Sequence, residues 1–263
     1  MARGVVLRSA PEEGAEQRGA DRVRERVPDT VPAAPRVRGV VEQLPASRDG
    51  VRHIVWDWNG TLLDDNHANL AAANHVCELF GRPALELEEW RRIFRRPLVP
   101  FYEELLGRPF ADGEWERLNT AYNSHYQQFL PSCDLADGAR DTLRGWRERG
   151  GSQSLLSMAA HEHLVPLVTE HGLVPHFTRV DGRHYDADVD SKAEHLVHHL
   201  AAQDVDPATV VLIGDIDDDA HAARAVGANA ILVATGLMSR ERLETTGYPV
   251  ADSLTEAVRM LNG

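Results

Sequence analysis

Lysine is almost absent from this 263-residue chain: of its 28 basic residues, 27 are arginine, and the single lysine is Lys192. Positive charge is also in short supply, because 41 acidic residues leave a formal net charge of −13. That balance argues against electrostatic attraction of the whole chain to nucleic acid or to an anionic membrane. Since arginine serves almost everywhere that positive charge is needed, the position of the one lysine asks for a specific explanation.

Cysteines and long apolar runs are equally scarce. The two cysteines, Cys77 and Cys133, suggest neither a metal-binding pair nor a disulfide framework, so both are predicted to be reduced packing thiols. No run of about 18 apolar residues is present, which argues against a membrane-spanning helix. The apolar residues near the N-terminus are interrupted at Arg8, so no signal peptide is predicted and a cytoplasmic location is expected.

Residues 1–50 lack any sustained apolar period. The segment contains five prolines, five glycines, nine arginines and eight acidic residues, with few large apolar side chains. Such a composition cannot offset the entropy lost when a chain becomes ordered. We therefore predict a disordered N-terminal extension at residues 1–50.

From residue 51 onward, apolar runs typical of buried strands alternate with helical periodicity. Strands are predicted at residues 51–56, 154–158, 177–180, 210–214 and 230–233, and helices at residues 137–149, 163–171, 192–203, 219–226 and 254–261. This alternation predicts an α/β fold, a Rossmann-like parallel sheet with helices on both faces.

The segment of residues 66–130 differs, because its periodicity is helical throughout and no strand is predicted within it. We predict a small all-helical cap at residues 66–130, inserted after the first strand. The α/β core would then consist of residues 51–65 and 131–263.

Polar side chains end three of the predicted strands. Asp57 follows the first strand, Ser157 lies near the end of the second, and Asp215 follows the strand at residues 210–214. Ligands of such sheets bind outside the carboxyl ends of the strands, so these groups are expected to meet at one edge, with Lys192 opening a nearby helix. A carboxylate can attack a phosphoryl group when Mg²⁺ and a cationic side chain offset the negative charges.

These segments resemble the four ordered motifs of the haloacid dehalogenase superfamily. The matching residues are Asp57-Trp58-Asn59-Gly60-Thr61, Leu155-Leu156-Ser157, Lys192 and Gly214-Asp215-x-x-x-Asp219. The helical segment between the first two motifs resembles the cap of the phosphoglycolate-phosphatase-like branch. The resemblance extends over about residues 51–263.

The resemblance implies a Mg²⁺-dependent phosphatase that hydrolyses a small phosphorylated metabolite through an aspartyl-phosphate on Asp57. The implied catalytic residues are Asp57, Asn59 and Lys192. The candidate substrate-binding residues of the core are Gly60, Thr61, Ser157 and Met158. The implied Mg²⁺ ligands are Asp57, Asn59 through its backbone carbonyl, Asp215 and Asp219.

Four arginines of the predicted cap flank Ile93 and Phe94: Arg91, Arg92, Arg95 and Arg96. They cannot all face one way on a helix, so one or two are expected to reach an anionic substrate when the cap closes. Arg95 and Arg96 are the candidates. The alternative is that these arginines are solvated and pair with the glutamates at positions 86, 88 and 89.

Position 59 departs from the family pattern, in which phosphatases usually have Asp as the general acid/base. Asn59 can donate a hydrogen bond but cannot give up a proton and take it back, and such proton transfer is typically worth about 10²–10⁴-fold in rate. Either the leaving group needs no proton, or a neighbour such as Asp65 or His67 substitutes, or the activity is weak.

The departure at Asn59 leaves two other functions open beside a phosphatase. One is a catalytically weakened or non-catalytic regulatory module that binds phosphate and Mg²⁺. The other is a phosphotransferase or mutase, against which the loss of Asp at position 59 argues. The expected partner is a small phosphorylated metabolite, with no nucleic acid and no membrane, while its identity, protein partners and oligomeric state stay open.

A second metal hypothesis concerns His195 and His199, which lie one turn apart on a predicted helix. That spacing suits two zinc ligands, but no cysteine or carboxylate partner is evident. We therefore predict that both histidines lie on a solvated helix surface.

Overall fold

The computed structural model describes residues 51–183 and 191–261. The predicted disordered extension at residues 1–50 lies outside the described residues. Within these two ranges, no helix is both long enough and apolar enough to cross a membrane.

Eight strands and ten α-helices follow one another along the described chain. The strands are β1 (His53–Trp56), β2 (Leu63–Asp64), β3 (Asp134–Leu135), β4 (Ser152–Ala160), β5 (Val180–Arg183), β6 (Val210–Gly214), β7 (Asn229–Val233) and β8 (Val250–Ala251). The helices are α1 (Asn66–Leu79), α2 (Leu87–Ile93), α3 (Leu98–Leu106), α4 (Glu114–Phe129), α5 (Ala139–Glu148), α6 (His161–Glu170), α7 (Lys192–Ala201), α8 (Asp217–Val226), α9 (Arg240–Glu244) and α10 (Leu254–Met260).

Six of the strands form one sheet in the order β5-β4-β1-β6-β7-β8. Every pairing in it is parallel, so all six carboxyl ends point to the same edge. The first strand of the chain, β1, lies between β4 and β6, and all four of its residues are buried. The predicted α/β fold with a parallel sheet is confirmed.

Alternate side chains of β1 explain why helices cover both faces of this sheet. Ile54 and Trp56 belong to one apolar cluster together with side chains of α5, α6 and α10. Val55 points to the opposite face and packs in a second cluster with side chains of α7 and α8. Strands buried on both faces are apolar at successive positions, which is the pattern of residues 54–56.

The helices α1–α4, residues 66–129, lie between β2 and β3, which pair antiparallel with each other. We call these four helices the helical insertion. It has an apolar cluster of its own in which Trp90 and Phe101 are buried, their rings meeting edge to face with centroids 5.4 Å apart. Most of this cluster comes from the insertion, and Leu237, from the loop after β7, joins it, so the insertion packs against the α/β core at this point.

Some short elements differ from the sequence-based expectation. The strand predicted at residues 177–180 instead begins at Val180 and ends at Arg183. A Cβ on Gly182 would lie 2.6 Å from the Ala159 carbonyl oxygen, so the close approach of the two backbones requires glycine here. In the sequence, the same glycine is typical of the end of a strand, and the predicted strand therefore ended too early. The two-residue strands β2, β3 and β8 and the short helix α9 were not predicted, because so few residues carry no periodicity.

A chain of buried hydrogen bonds corrects the prediction for His199. Its Nδ1 lies 2.7 Å from Asp181 Oδ2 and its Nε2 lies 2.7 Å from Ser154 Oγ. His53 continues the chain, with Nε2 2.7 Å from Ser154 Oγ and Nδ1 2.8 Å from Ser152 Oγ. His199 is 1% exposed, so its assignment to a solvated surface is wrong: on the sheet-facing side of α7, the imidazole contacts polar groups of β4 and β5.

The first prediction concerns the pH dependence of stability. Burial, with a further contribution from His199, lowers the pKa of His53 to about 4. The unfolded chain binds a proton at His53 below about pH 6.5, whereas the folded chain does so only near pH 4. The contribution of neutral His53 to the free energy of unfolding is therefore complete above about pH 6.5 and is lost as the pH falls towards 4. Between pH 7 and pH 5 the wild type should lose about 2 kcal/mol more unfolding free energy than His53→Gln.

Urea unfolding followed by circular dichroism at the two pH values measures this difference. The Gln amide keeps a donor and an acceptor beside the serines without titrating, so the other ionisable groups contribute equally to both proteins. The same pH dependence in the wild type and the variant would show that His53 is not held neutral.

Candidate active site

The centre of the candidate site is Asp57, which directly follows the central strand β1. Its N–H donates to the Ile213 carbonyl at 2.9 Å, which continues the pairing with β6 by one residue. Because β4 and β6 flank β1, their polar residues Ser157 and Asp215 lie on either side of Asp57. Ser157 lies within β4, three residues before its end, where its Oγ accepts a hydrogen bond from the Ala159 N–H at 3.1 Å.

Three carboxylates meet at this edge of the sheet. One oxygen from each of Asp57, Asp215 and Asp219 lies within 4.8 Å of the others, and all three residues are buried. This is the only cluster of potential metal ligands found among the described residues. Lys192, the first residue of α7, forms ion pairs with Oδ1 of Asp57 and Oδ1 of Asp219, so the one lysine of the chain lies inside the cluster.

Burial and mutual repulsion govern the ionisation of these groups. Burial raises the pKa of Asp57 to about 7, with Lys192 acting against the rise and Asp219 adding to it. Burial, then the charges of Asp57 and Asp219, also raises the pKa of Asp215 well above its ordinary value. Burial acts to lower the pKa of Lys192, but the two paired carboxylates outweigh it and the pKa is raised.

The donor set fits a hard divalent cation. Three buried carboxylates face one ammonium group, so ionised forms leave negative charge that is not compensated. Carboxylate and carbonyl oxygens are the ligands that Mg²⁺ takes in proteins, and a bound Mg²⁺ would offset this charge.

Asp215 is held between two glycines. The Leu237 N–H donates to its Oδ2 at 2.8 Å, and the Thr61 hydroxyl approaches its Oδ1 at 3.5 Å. A Cβ on Gly236 would lie 1.9 Å from Oδ2, and a Cβ on Gly60, whose φ is +69°, would lie 2.5 Å from the same oxygen. Neither position leaves room for a side chain beside the carboxylate.

Asn59 is fixed by a group of hydrogen bonds rather than facing open space. Its Nδ2 lies 2.8 Å from Asp65 Oδ2 and 2.8 Å from the Tyr126 hydroxyl, to both of which it donates. Its Oδ1 accepts from Ser157 Oγ at 3.3 Å. Asp65 is fully buried; burial raises its pKa, and its hydrogen-bond donors, Tyr126 first, act against that rise.

The remaining predicted residues occupy several places. His67 is exposed, with Nε2 3.0 Å from Ser132 Oγ, and Met158 is half-buried on β4 beside Ser157. Arg95 pairs with Glu104 and lies over the Phe101 ring, both within the insertion.

Two arginines of the insertion reach the core. Arg91 donates from Nε to the Gly236 carbonyl at 2.8 Å and from Nη2 to the Thr235 carbonyl at 3.3 Å. Arg96 Nε lies 3.6 Å from Asp218 Oδ2, next to Asp219. By contrast, Arg92 donates to the Glu88 carbonyl of its own helix at 3.1 Å. Of the two candidates from the sequence, Arg96 therefore contacts Asp218 of the core, next to Asp219, whereas Arg95 contacts only side chains of the insertion in the bonds described here.

Several neighbours of the site were not foreseen. Thr235, Gly236 and Leu237 follow β7 at the same edge of the sheet, so the rule that located Asp57 and Asp215 also applies to them. Tyr126 and Asn69 come from the insertion, and among the many polar residues of α1 and α4 no pattern marked them.

Comparison with known proteins identifies the chain. A family model described as haloacid dehalogenase-like hydrolase matches residues 54–233. The chain belongs to the haloacid dehalogenase-like hydrolase family. The resemblance inferred from the four motifs is thus confirmed.

Curated relatives within this family include phosphoglycolate phosphatases. That of Synechococcus elongatus is 27% identical over 198 residues, covering 72% of this chain and 87% of the relative. That of Chromobacterium violaceum is 26% identical over 191 residues, covering 71% and 86%. These relatives place the chain among the phosphoric monoester hydrolases of the haloacid dehalogenase-like family.

A solved structure agrees with this fold. The haloacid dehalogenase-like family hydrolase from Streptococcus pneumoniae superimposes with a TM-score of 0.68 at 17% identity, covering 80% of this chain and 97% of that one. At that identity the likeness concerns the fold.

The second prediction tests the support of Asp215. Gly236→Ala places a Cβ where the carboxylate oxygen now lies, so Asp215 must move. If Asp215 binds Mg²⁺, its displacement should weaken Mg²⁺ binding about 10–100-fold, the range typical of changes to the groups that surround a metal ligand. The measurement is the Mg²⁺ concentration dependence of the melting temperature.

Gly145→Ala on α5 is the matched control, because the nearest atom to its new Cβ is Arg149 Nη1 at an ordinary 3.5 Å. Unchanged Mg²⁺ affinity in Gly236→Ala would show that the glycine does not position the ligand.

Proposed function

We propose that this chain is a Mg²⁺-dependent phosphatase that hydrolyses a small phosphorylated metabolite through an aspartyl-phosphate on Asp57. The observation that carries the proposal is the pairing of Lys192 with both Asp57 and Asp219 at the end of the central strand. Asp57 lies beside a fixed ammonium group and close to two further carboxylates. The ammonium group, together with a cation bound by the carboxylates, would offset the negative charge that otherwise opposes attack of a carboxylate on an anionic phosphoryl group.

In the proposed reaction, an oxygen of Asp57 attacks phosphorus and the bond from phosphorus to the leaving oxygen breaks. Lys192 holds a phosphoryl oxygen with its ammonium group, and the Ser157 hydroxyl, which turns away from Asn59 Oδ1, donates to another. Water then attacks the phosphoryl group and restores the Asp57 carboxylate. Asp57, Asp215, Asp219 and the backbone carbonyl of Asn59 would hold Mg²⁺, which when bound neutralises phosphoryl and carboxylate charge.

We assign the helical insertion as the cap, with residues 66–130 forming this unit and residues 51–65 and 131–263 forming the catalytic core. Its contacts support the assignment: the Ser239 N–H donates to the Arg91 carbonyl at 3.0 Å, and Arg242 donates to the Phe94 carbonyl. The cap thus touches the loop after β7, which also touches Asp215.

The substrate we propose carries a second anionic group besides its phosphate. Arg96 extends from the insertion to Asp218, beside the carboxylate cluster, and its side chain is 18% exposed. A guanidinium in that place matches a carboxylate or a second phosphate on the substrate.

The third prediction concerns the nucleophile. Asp57→Asn should lower turnover of p-nitrophenyl phosphate by at least about 10³-fold, because the amide cannot form the acyl-phosphate. The fold should survive, since Lys192 keeps its ion pair with Asp219. Intact-mass analysis after acid quenching should detect a hydroxylamine-sensitive phosphoryl group on the wild type and none on the variant.

The control for this experiment is Asp64→Asn, which alters an exposed carboxylate of β2. Wild-type turnover by Asp57→Asn would rule out the mechanism. Binding of phosphate analogues without turnover would favour a regulatory module instead, for which Asn59 is the motivation, and a phosphate isomer as product would favour a mutase.

The fourth prediction compares two neighbouring arginines. Arg96→Gln should lower kcat/KM for 4-carboxyphenyl phosphate about tenfold relative to phenyl phosphate, the size of one charge-assisted hydrogen bond. Arg95→Gln, which removes a cation that pairs within the insertion, should leave the ratio unchanged. The same ratio in wild type and Arg96→Gln would exclude Arg96 from substrate recognition.

A further inference from the structure

From the surroundings of Asn59 we infer that this site acts on phosphoryl donors whose leaving group departs without a proton. These are acyl phosphates, phosphoanhydrides and phosphate esters of acidic phenols, as opposed to alkyl phosphate esters. The inference rests on the proposed function, in which Asp57 accepts the phosphoryl group. Its basis is the set of groups that could deliver a proton to the leaving oxygen.

The amide of Asn59 cannot supply that proton. Its orientation follows from its neighbours, because Asp65 accepts hydrogen bonds and must face the NH₂ group, which leaves the amide oxygen for Ser157. An amide in this orientation can donate a hydrogen bond but does not release a proton near neutral pH. At most, Asn59 orients Ser157 and the substrate.

Asp65, the carboxylate that accepts a hydrogen bond from Asn59, is turned away from the reaction. Its oxygens accept from the Gly60 N–H at 2.8 Å, Asn69 Nδ2 at 2.7 Å and the Tyr126 hydroxyl at 2.7 Å, in addition to Asn59. The residue is 0% exposed. A proton leaving Asp65 for the substrate would have to pass through the amide of Asn59 or through Tyr126, whose own proton is directed at Asp65.

The other described residues near the site are committed elsewhere. Lys192 pairs with two carboxylates, Asp218 pairs with Arg96 at 3.6 Å, and Asp215 and Asp219 belong to the cluster that fits a metal ion. His67 is exposed and contacts Ser132 of the chain segment after α4. Among residues 51–183 and 191–261, the structure thus offers no group placed to protonate the leaving oxygen.

The chemistry balances without such a group when the leaving oxygen is weakly basic. Asp57 forms a bond to phosphorus, and the electron pair of the broken bond leaves with the oxygen as a carboxylate, phosphate or phenolate. Water then attacks phosphorus, the bond to Asp57 breaks, and both water protons end on the released phosphate as H₂PO₄⁻. An alkoxide is too strong a base to leave in this way.

The contact between Asn59 and Asp65 determines which substitutions could restore a general acid at position 59. Asn59→Asp alone would place two carboxylates within 2.8 Å of each other, because Asp65 remains behind position 59. The exchange variant Asn59→Asp/Asp65→Asn keeps the net charge and returns an amide to face the new carboxyl group. Asp65→Asn alone is the matched control for the loss of the buried carboxylate.

The test measures kcat/KM for aryl phosphates of decreasing phenol acidity, from 2,4-dinitrophenyl to phenyl phosphate, with acetyl phosphate and an alkyl phosphate as the two extremes. Wild type should turn over acetyl phosphate and fall steeply along the aryl series, with the alkyl ester lower by a further factor of about 10² or more. The exchange variant should show a shallower dependence and gain alkyl-ester turnover. Asp65→Asn alone should keep the steep dependence.

The outcomes separate this inference from the proposed function. Turnover of the alkyl ester within tenfold of the aryl esters by wild type would overturn the inference and leave the phosphatase proposal standing. A selective loss of alkyl-ester turnover in Asp65→Asn would also overturn it, because Asp65 would then be the acid. No turnover of any substrate, even 2,4-dinitrophenyl phosphate, would overturn the proposed function itself. The wild-type series decides the matter even where the exchange variant does not fold.

Discussion

The ion pairs of Lys192 with Asp57 and Asp219 are the constraint around which the candidate site is arranged. Buried charges are tolerated only when they are paired, and here one ammonium group joins the end of β1, the start of α7 and the first turn of α8. An ammonium is compact and has three rotatable donors, whereas the planar fork of a guanidinium would not fit between two carboxylates in the same way. In a chain whose other 27 basic residues are arginine, this geometry gives the single lysine a physical reason.

Much of this arrangement was predictable because it depends on strand ends and residue type. Asp57, Ser157 and Asp215 follow or end apolar runs, and parallel pairing brings such positions to one edge whatever the details of packing. Lys192 could be placed with them because it begins a helix between two of these strands. The catalytic and binding roles assigned to these residues remain predictions, while the fold and the family are established.

The rest depended on tertiary contacts that carry no local signal. Tyr126 reaches Asp65 only because α1 and α4 pack side by side, whereas Asn69 meets Asp65 locally, one turn along α1, in a sequence neighbourhood that is polar throughout. His199 lies on the same face of α7 as Leu196 and Leu200, but its polar side chain favoured a surface position in the prediction; it faces Ser154 and Asp181, which lie 45 and 18 residues away along the chain. The strand at Val180–Arg183 was displaced in the prediction because Gly182 is selected for close backbone contact.

The hydrogen bond that Arg91 donates to the Gly236 carbonyl links the helical insertion to the surroundings of Asp215. Gly236 lies against the Asp215 carboxylate. A movement of the insertion that displaced Arg91 would therefore also change the packing of Gly236 against that carboxylate. If Asp215 binds a cation and the insertion moves, as proposed for the cap, cation binding and the position of the insertion would be coupled equilibria, each biasing the other by the same free energy. A cation bound by Asp215 would then also stabilise the position of the insertion in which Arg91 contacts Gly236.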